Sequence, residues 1–130
     1  GNVAQATSWL RNALQLASAM AGGEGARDLG SEDSGELQGL GPAWEPTVLA
    51  LGHCLRKQGA LQDALLWYNR ALSLNPGQPG TLAAVGYTHQ LMGNLPLAIE
   101  AYHACLAIKP DDAFAAEMLN VALMDYSRFD

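Results

Sequence analysis

The sequence predicts an all-α protein, a superhelix of antiparallel helix pairs. Three observations carry that expectation. Apolar residues return every three or four positions through most of the chain, and Ala and Leu dominate it. The pattern is broken at near-regular intervals, at Gln58-Gly59, Pro76-Gly77, Gly93-Asn94 and Pro110-Asp111. The links left between the breaks are only a few residues long, so consecutive helices must fold back on one another as hairpins.

Residues 3–20 read as the first helix. Ala6, Leu10, Ala13, Leu14 and Ala17 fall on one face, which Trp9 and Leu16 widen. Seven of the fourteen glycines then lie between Gly22 and Gly41, mixed with Glu24, Asp28, Glu32, Asp33 and Glu36. Glycine loses the most backbone entropy on ordering and like charges repel, so about 21–42 reads as a mobile acidic loop. Ser31 and Ser34 would be its candidate phosphorylation sites, although an inert spacer is the simpler reading. From Trp44 onward the breaks place helices at about 45–58, 61–74, 79–92, 95–108 and 113–127. Pro96 suits the first turn of its helix, where a missing N–H is harmless.

Composition narrows the class of function. A chain of 130 residues allows one domain at most. The net charge is −6, of which −4 lies between Ala21 and Trp44, and no basic stripe marks a nucleic-acid or anionic-membrane surface. No run of 18 apolar residues is present to span a membrane, and the first residues lack the pattern of a signal peptide. Gly1 reads as a scar left by cloning, which would make the sequence a fragment of a longer chain. Cys54 and Cys105 lie 51 residues apart in helical patterns, and reduced, buried thiols are expected.

The second half of the chain repeats itself. Aligned without gaps, Glu45–Gln78 and Pro79–Asp112 share nine of 34 positions: Thr47/Thr81, Ala50/Ala84, Gly52/Gly86, Gly59/Gly93, Leu61/Leu95, Ala64/Ala98, Tyr68/Tyr102, Leu72/Leu106 and Pro76/Pro110. A mid-helix glycine costs about 1 kcal/mol relative to alanine. Its recurrence at one phase predicts a close approach by the second helix of each pair. The 34-residue period and the order of large and small residues are those of the tetratricopeptide repeat. One copy reads Val48, Leu51, Gly52, Leu55, Ala64, Tyr68, Ala71, Pro76. The next reads Leu82, Val85, Gly86, His89, Ala98, Tyr102, Cys105, Pro110, with His89 and Cys105 in place of the usual aromatic and alanine. The organisation is then 1–20 as the second helix of a preceding repeat, 21–43 as the acidic loop, 44–78 and 79–112 as two full repeats, and 113–130 as the first helix of a following repeat or a cap. A single repeat cannot bury its own apolar face, so stacking must supply the core. Two and a half units predict modest stability.

In such a stack the first helices line a concave groove. The phase places Leu49, His53 and Arg56 there in the first unit, Tyr87 and Gln90 in the second, and Glu117, Val121 and Met124 in the third. This mixture of apolar and hydrogen-bonding groups suits an extended or helical peptide, with the aromatic and Arg positions as hot spots. Each residue also has a structural reading. Tyr87 could pack between helices, His53 could be a half-buried helix residue, Arg56 and Lys57 could be a solvated face, and Val121 and Met124 could await a further helix.

Nothing reads as catalytic, and no cofactor or metal is expected. His53 and Cys54 are neighbours on a helix and point about 100° apart. His89 and His103 have no partner at metal-ligand spacing, and Asp111-Asp112 reads as a helix cap.

Finer residue matches go beyond the repeat. Trp44-Glu45-Pro46, Leu51-Gly52-His53, Gly86-Tyr87, His89, Met92-Gly93-Asn94 and Asp111-Asp112 resemble the C-terminal repeats of the cell-division-cycle protein sixteen family. That family supplies a tetratricopeptide scaffold subunit of the anaphase-promoting complex (cyclosome), a ubiquitin ligase acting in cell-cycle control. The loop is longer and richer in glycine than the family pattern. The resemblance implies a non-catalytic role in nucleus and cytoplasm, with other repeat subunits of the complex as partners. It implies homodimerisation through N-terminal repeats absent here. It also implies a small stabilising subunit whose N-terminal segment lies in the groove against His53, Tyr87 and their neighbours. Two other classes fit the repeat alone. One is a co-chaperone or import receptor reading client peptides, for which only Arg56, Lys57 and Asn120 could neutralise a terminal carboxylate. The other is the regulatory repeat region of a larger enzyme.

Overall fold

The computed structural model describes residues 2–22 and 42–128, and every element among them is helical. In order they are α1 (Asn2–Gly22), a single 3₁₀ turn (Pro42–Trp44), α2 (Glu45–Lys57), α3 (Leu61–Leu74), α4 (Pro79–Leu91), α5 (Leu95–Ile108) and α6 (Ala113–Arg128). The expected helices agree with these to within one or two residues. The acidic loop and its serines lie outside the described residues.

The helix ends follow from local chemistry. Pro46, Pro79 and Pro96 sit in the first turns of α2, α4 and α5, where an N–H would have no intrahelical partner. The turns after α2 and α4 are built alike. Gly59 and Gly93 hold φ of +86° and +84°, the left-handed conformation that a side chain resists. Around Gly59, its N–H donates to the Arg56 carbonyl and the Ala60 N–H donates to that of Leu55. Around Gly93, its N–H donates to Gln90 and that of Asn94 to His89. These are paired Schellman closures that satisfy the last carbonyls of each helix. Asp112 caps α6 as expected, its Oδ1 accepting from the Ala115 N–H at 2.9 Å, whereas Asp111 stays exposed.

The chain divides into two compact units, Gly1–Pro76 and Gly77–Asp130. In the first, α2 packs against α1 and α3. Its core is Leu14, Val48, Leu51, Leu55, Ala64, Trp67, Tyr68 and Ala71. Each large side chain buried there contributes about 1.5–3 kcal/mol. The Gln58 amide also donates to Thr7 Oγ1 at 3.1 Å, tying α1 to the end of α2. Arg70 is buried on α3 with its guanidinium 4.6 Å above the Trp67 ring. In the second unit α5 lies between α4 and α6. Ala83, Ala98, Tyr102, Cys105, Ala115 and Ala122 form its centre, with Leu82, Leu95, Ile99, Leu106, Met118 and Leu119 packed around them.

Two expectations about burial need correction. Trp9 and Leu16 do not extend the apolar face of α1; they are 70% and 64% exposed, while Thr7 and Leu14 are buried. Trp9 and Leu16 are seven residues apart and share a stripe rotated away from α2. Cys54 is a free thiol but only half-buried, unlike Cys105, because it lies at the edge of the α2 face that carries Leu51 and Leu55.

Candidate functional site

The repeated glycines explain how the candidate side chains are held. A Cβ added to Gly52 would lie 2.6 Å from Cε1 and 2.7 Å from Cδ1 of Tyr68. At Gly86 the same atoms of Tyr102 would lie at 2.8 and 2.9 Å. The close approach expected at these positions is therefore made by a tyrosine ring from the second helix, seated flat in the space a side chain would fill. Both rings are fully buried.

Each ring passes its hydroxyl to the face of the first helix where the groove residues were placed. In the first unit, Tyr68 Oη lies 2.7 Å from His53 Nδ1 and accepts from Arg56 Nε at 3.2 Å. The His53–Tyr68 contact runs in the direction the imidazole tautomer sets: a bare Nδ1 accepts from the phenol, and an Nδ1–H donates to it. The His53 and Tyr68 rings meet edge to face at 5.3 Å. Burial, then the charges of Arg56 and Lys57, push the His53 pKa below its ordinary 6.5. In the second unit, Tyr102 Oη donates to Gln90 Oε1 at 2.7 Å. Burial, reinforced by Tyr87, pushes the Tyr102 phenol well up, so it remains a donor throughout the physiological range.

The remaining candidates divide in the same way. Leu49 is half-buried on α2. Tyr87 is half-buried and meets Phe114 edge to face, with centroids 5.8 Å apart. Glu117, Val121 and Met124 are exposed along α6, Met124 at 63%. The second unit thus brings Tyr87 to Phe114 and Gln90 to Tyr102. The first brings His53 and Arg56 together on Tyr68. Phe114 was missed in the sequence, although it stands at the phase of Pro46 and Gly80, 68 and 34 residues earlier. The tyrosine hydroxyls were missed as well. The signal available was the identical Tyr sixteen residues after each glycine, with a polar residue four after it.

Other chemistry is sparse. Burial and the neighbouring Asp112 push the Cys105 thiol up, away from reactivity. Burial lowers the pKa of His89, whose Nδ1 is enclosed without a hydrogen-bond partner. Among the described residues no group of three or more His, Cys, Asp or Glu could hold a metal ion, and no helix is long and apolar enough to cross a membrane.

Comparison with known proteins agrees with this architecture. Residues 48–78 match the tetratricopeptide repeat family model, and the fold is of that all-α type. The chain is 46% identical over 81 residues to anaphase-promoting complex subunit 6 of Dictyostelium discoideum, covering 62% of this chain and 9% of that protein. It is 48% identical over 86 residues to anaphase-promoting complex subunit 6 of Arabidopsis thaliana, covering 66% and 16%. It is 39% identical over 83 residues to the human cell division cycle protein 16 homolog, covering 64% and 13%. The resemblance read from the sequence is thus to these proteins. The chain spans between 9% and 16% of their length.

Proposed function

We propose that this chain is a repeat segment of a scaffold subunit of the anaphase-promoting complex. It acts without catalysis, in nucleus and cytoplasm, by holding other subunits in place. The observation that carries this reading is the 39–48% identity to subunits of that complex across about two thirds of the chain. The longer protein would assemble with other repeat subunits and would dimerise through repeats outside this segment. Leu49, His53, Arg56, Tyr87, Gln90, Glu117, Val121 and Met124 would line the groove that receives a segment of a small stabilising subunit. The edge-to-face pair of Tyr87 and Phe114 supports that assignment, because it sets a rigid aromatic surface beside the exposed apolar side chains of α6.

The test is a tagged full-length protein carrying His53→Ala, Tyr87→Ala and Met124→Ala together, recovered from its own cells. The variant should lose the small subunit and keep the other repeat subunits. Unchanged recovery of the small subunit would remove the groove from the account.

A further inference from the structure

The two tyrosine hydroxyls do the same thing to two different side chains. Histidine and glutamine can each present either a donor or an acceptor, depending on tautomer or amide orientation. In each unit a buried tyrosine hydroxyl stands against one of the two ends. Tyr68 Oη stands 2.7 Å from His53 Nδ1 while accepting from Arg56 Nε, and in the tautomer that carries the ring proton on Nε2 the phenol donates to Nδ1. Tyr102 donates to Gln90 Oε1, which leaves the amide NH₂ as the other end. Neither His53 Nε2 nor Gln90 Nε2 has a hydrogen-bond partner among the described residues, and neither is enclosed, so both reach solvent. Arg56 and Lys57 follow His53 by three and four residues on α2, on or beside the same face, and both are cationic.

We propose that Tyr68 and Tyr102 are positioning residues that each turn the candidate groove face of their own unit into a hydrogen-bond donor surface, and that a partner segment bound at such a face answers with acceptor oxygens, a carboxylate at His53. This rests on the groove assignment above and adds what the groove reads. A neutral imidazole N–H beside two cations favours an anionic oxygen over a neutral one. A partner side chain that can only donate, such as lysine, would meet a donor at either position and be refused.

The first half of the proposal is tested without any partner. The full 130-residue chain, ¹⁵N-labelled, is examined near neutral pH by long-range proton–nitrogen NMR of its histidine rings. His53 should show hydrogen on Nε2 and a bare Nδ1. Tyr68→Phe keeps the ring in its seat at Gly52 and should release His53 to a mixture of tautomers. A proton resident on Nδ1 in the unaltered chain, or no change in Tyr68→Phe, overturns the assignment whether or not the scaffold reading holds.

The second half uses capped pentaglutamate, with capped pentaglutamine and pentalysine as comparisons. Pentaglutamate should perturb the His53 ring signals with an affinity roughly tenfold above that of pentaglutamine, as expected of a charge-assisted hydrogen bond. Tyr68→Phe should erase most of that difference. Equal response to the neutral peptide, or a preference for pentalysine, overturns the claim that the face selects acceptor oxygens. A correct tautomer with no peptide preference therefore rejects the specificity and leaves the tyrosine's role as positioning only.

Discussion

Replacing Gly52 with alanine sets two physical effects against each other. Helix propensity alone predicts that Gly52→Ala stabilises the chain by about 1 kcal/mol, since the position lies inside α2. The structure predicts the reverse. The new methyl would stand 2.6 Å from a ring carbon of Tyr68, about 1 Å inside ordinary van der Waals contact. Tyr68 cannot retreat cheaply, because its ring is fully buried and its hydroxyl is held by His53 and Arg56. Overpacking of this kind costs about 1–3 kcal/mol. A rigid, tethered ring belongs at the upper end, so the net effect is a loss of roughly 1–2 kcal/mol after the propensity gain. Gly86→Ala, with Tyr102 at 2.8 Å, should behave alike. Urea denaturation followed by far-UV circular dichroism gives the change through the midpoint and slope. Gly80→Ala is the control, since a Cβ there would meet nothing within 4 Å and should be neutral or mildly stabilising. In a Tyr68→Ala background the sign at Gly52 should invert, because the methyl then enters the vacated seat. A Gly52→Ala chain more stable than the parent would refute the close-seat explanation of the repeated glycine.

Four further outcomes follow from the same structure. Gly59→Ala or Gly93→Ala forces a side chain into positive φ and should lower stability by about 1 kcal/mol, read as a reduced urea midpoint. Asp112→Ala removes the α6 cap and should cost about 1 kcal/mol, with Asp112→Asn retaining most of it. Burial holds the pKa values of His53 and His89 below 6.5 in the folded chain, so the unfolded chain binds protons first on acidification. Stability from these groups is complete above pH 6.5 and is lost as the pH falls below it, and His53→Gln with His89→Gln should flatten the slope of the urea midpoint between pH 6.5 and 5. Trp9→Gln, at an exposed position on α1, should change stability by no more than about 0.5 kcal/mol, while the remaining tryptophan emission moves to shorter wavelength because the solvated indole is gone.

The helices were legible in the sequence because their ends are set locally. Gly59, Gly93, Pro76 and Pro110 act on their immediate neighbours, so they mark boundaries without knowledge of the fold. The pairing of helices was legible because nine identities recur at one 34-residue phase. What the sequence did not reveal depends on contacts between distant residues. Periodicity put Trp9 and Leu16 within a wide apolar arc of α1, but only the placement of α2 decides which part of that arc is covered, and it covers Thr7 and Leu14. The repeated glycine announced a close approach without saying whether backbone or ring makes it. The hydroxyl contacts to His53, Arg56 and Gln90 join residues twelve to fifteen apart and depend on side-chain rotamers, which no pattern of residue types encodes. Phase alone assigns the candidate residues to α2, α4 and α6, while the orientation of His53, Arg56 and Gln90 depends on their contacts with Tyr68 and Tyr102.

The central claim is membership of the ubiquitin-ligase scaffold. The most direct measurement is affinity capture of the full-length protein from its own cells, with mass spectrometry of what is recovered. Membership predicts recovery of several repeat subunits together with a cullin-like and a RING subunit. Recovery of chaperones or import factors with no ligase subunit would contradict it.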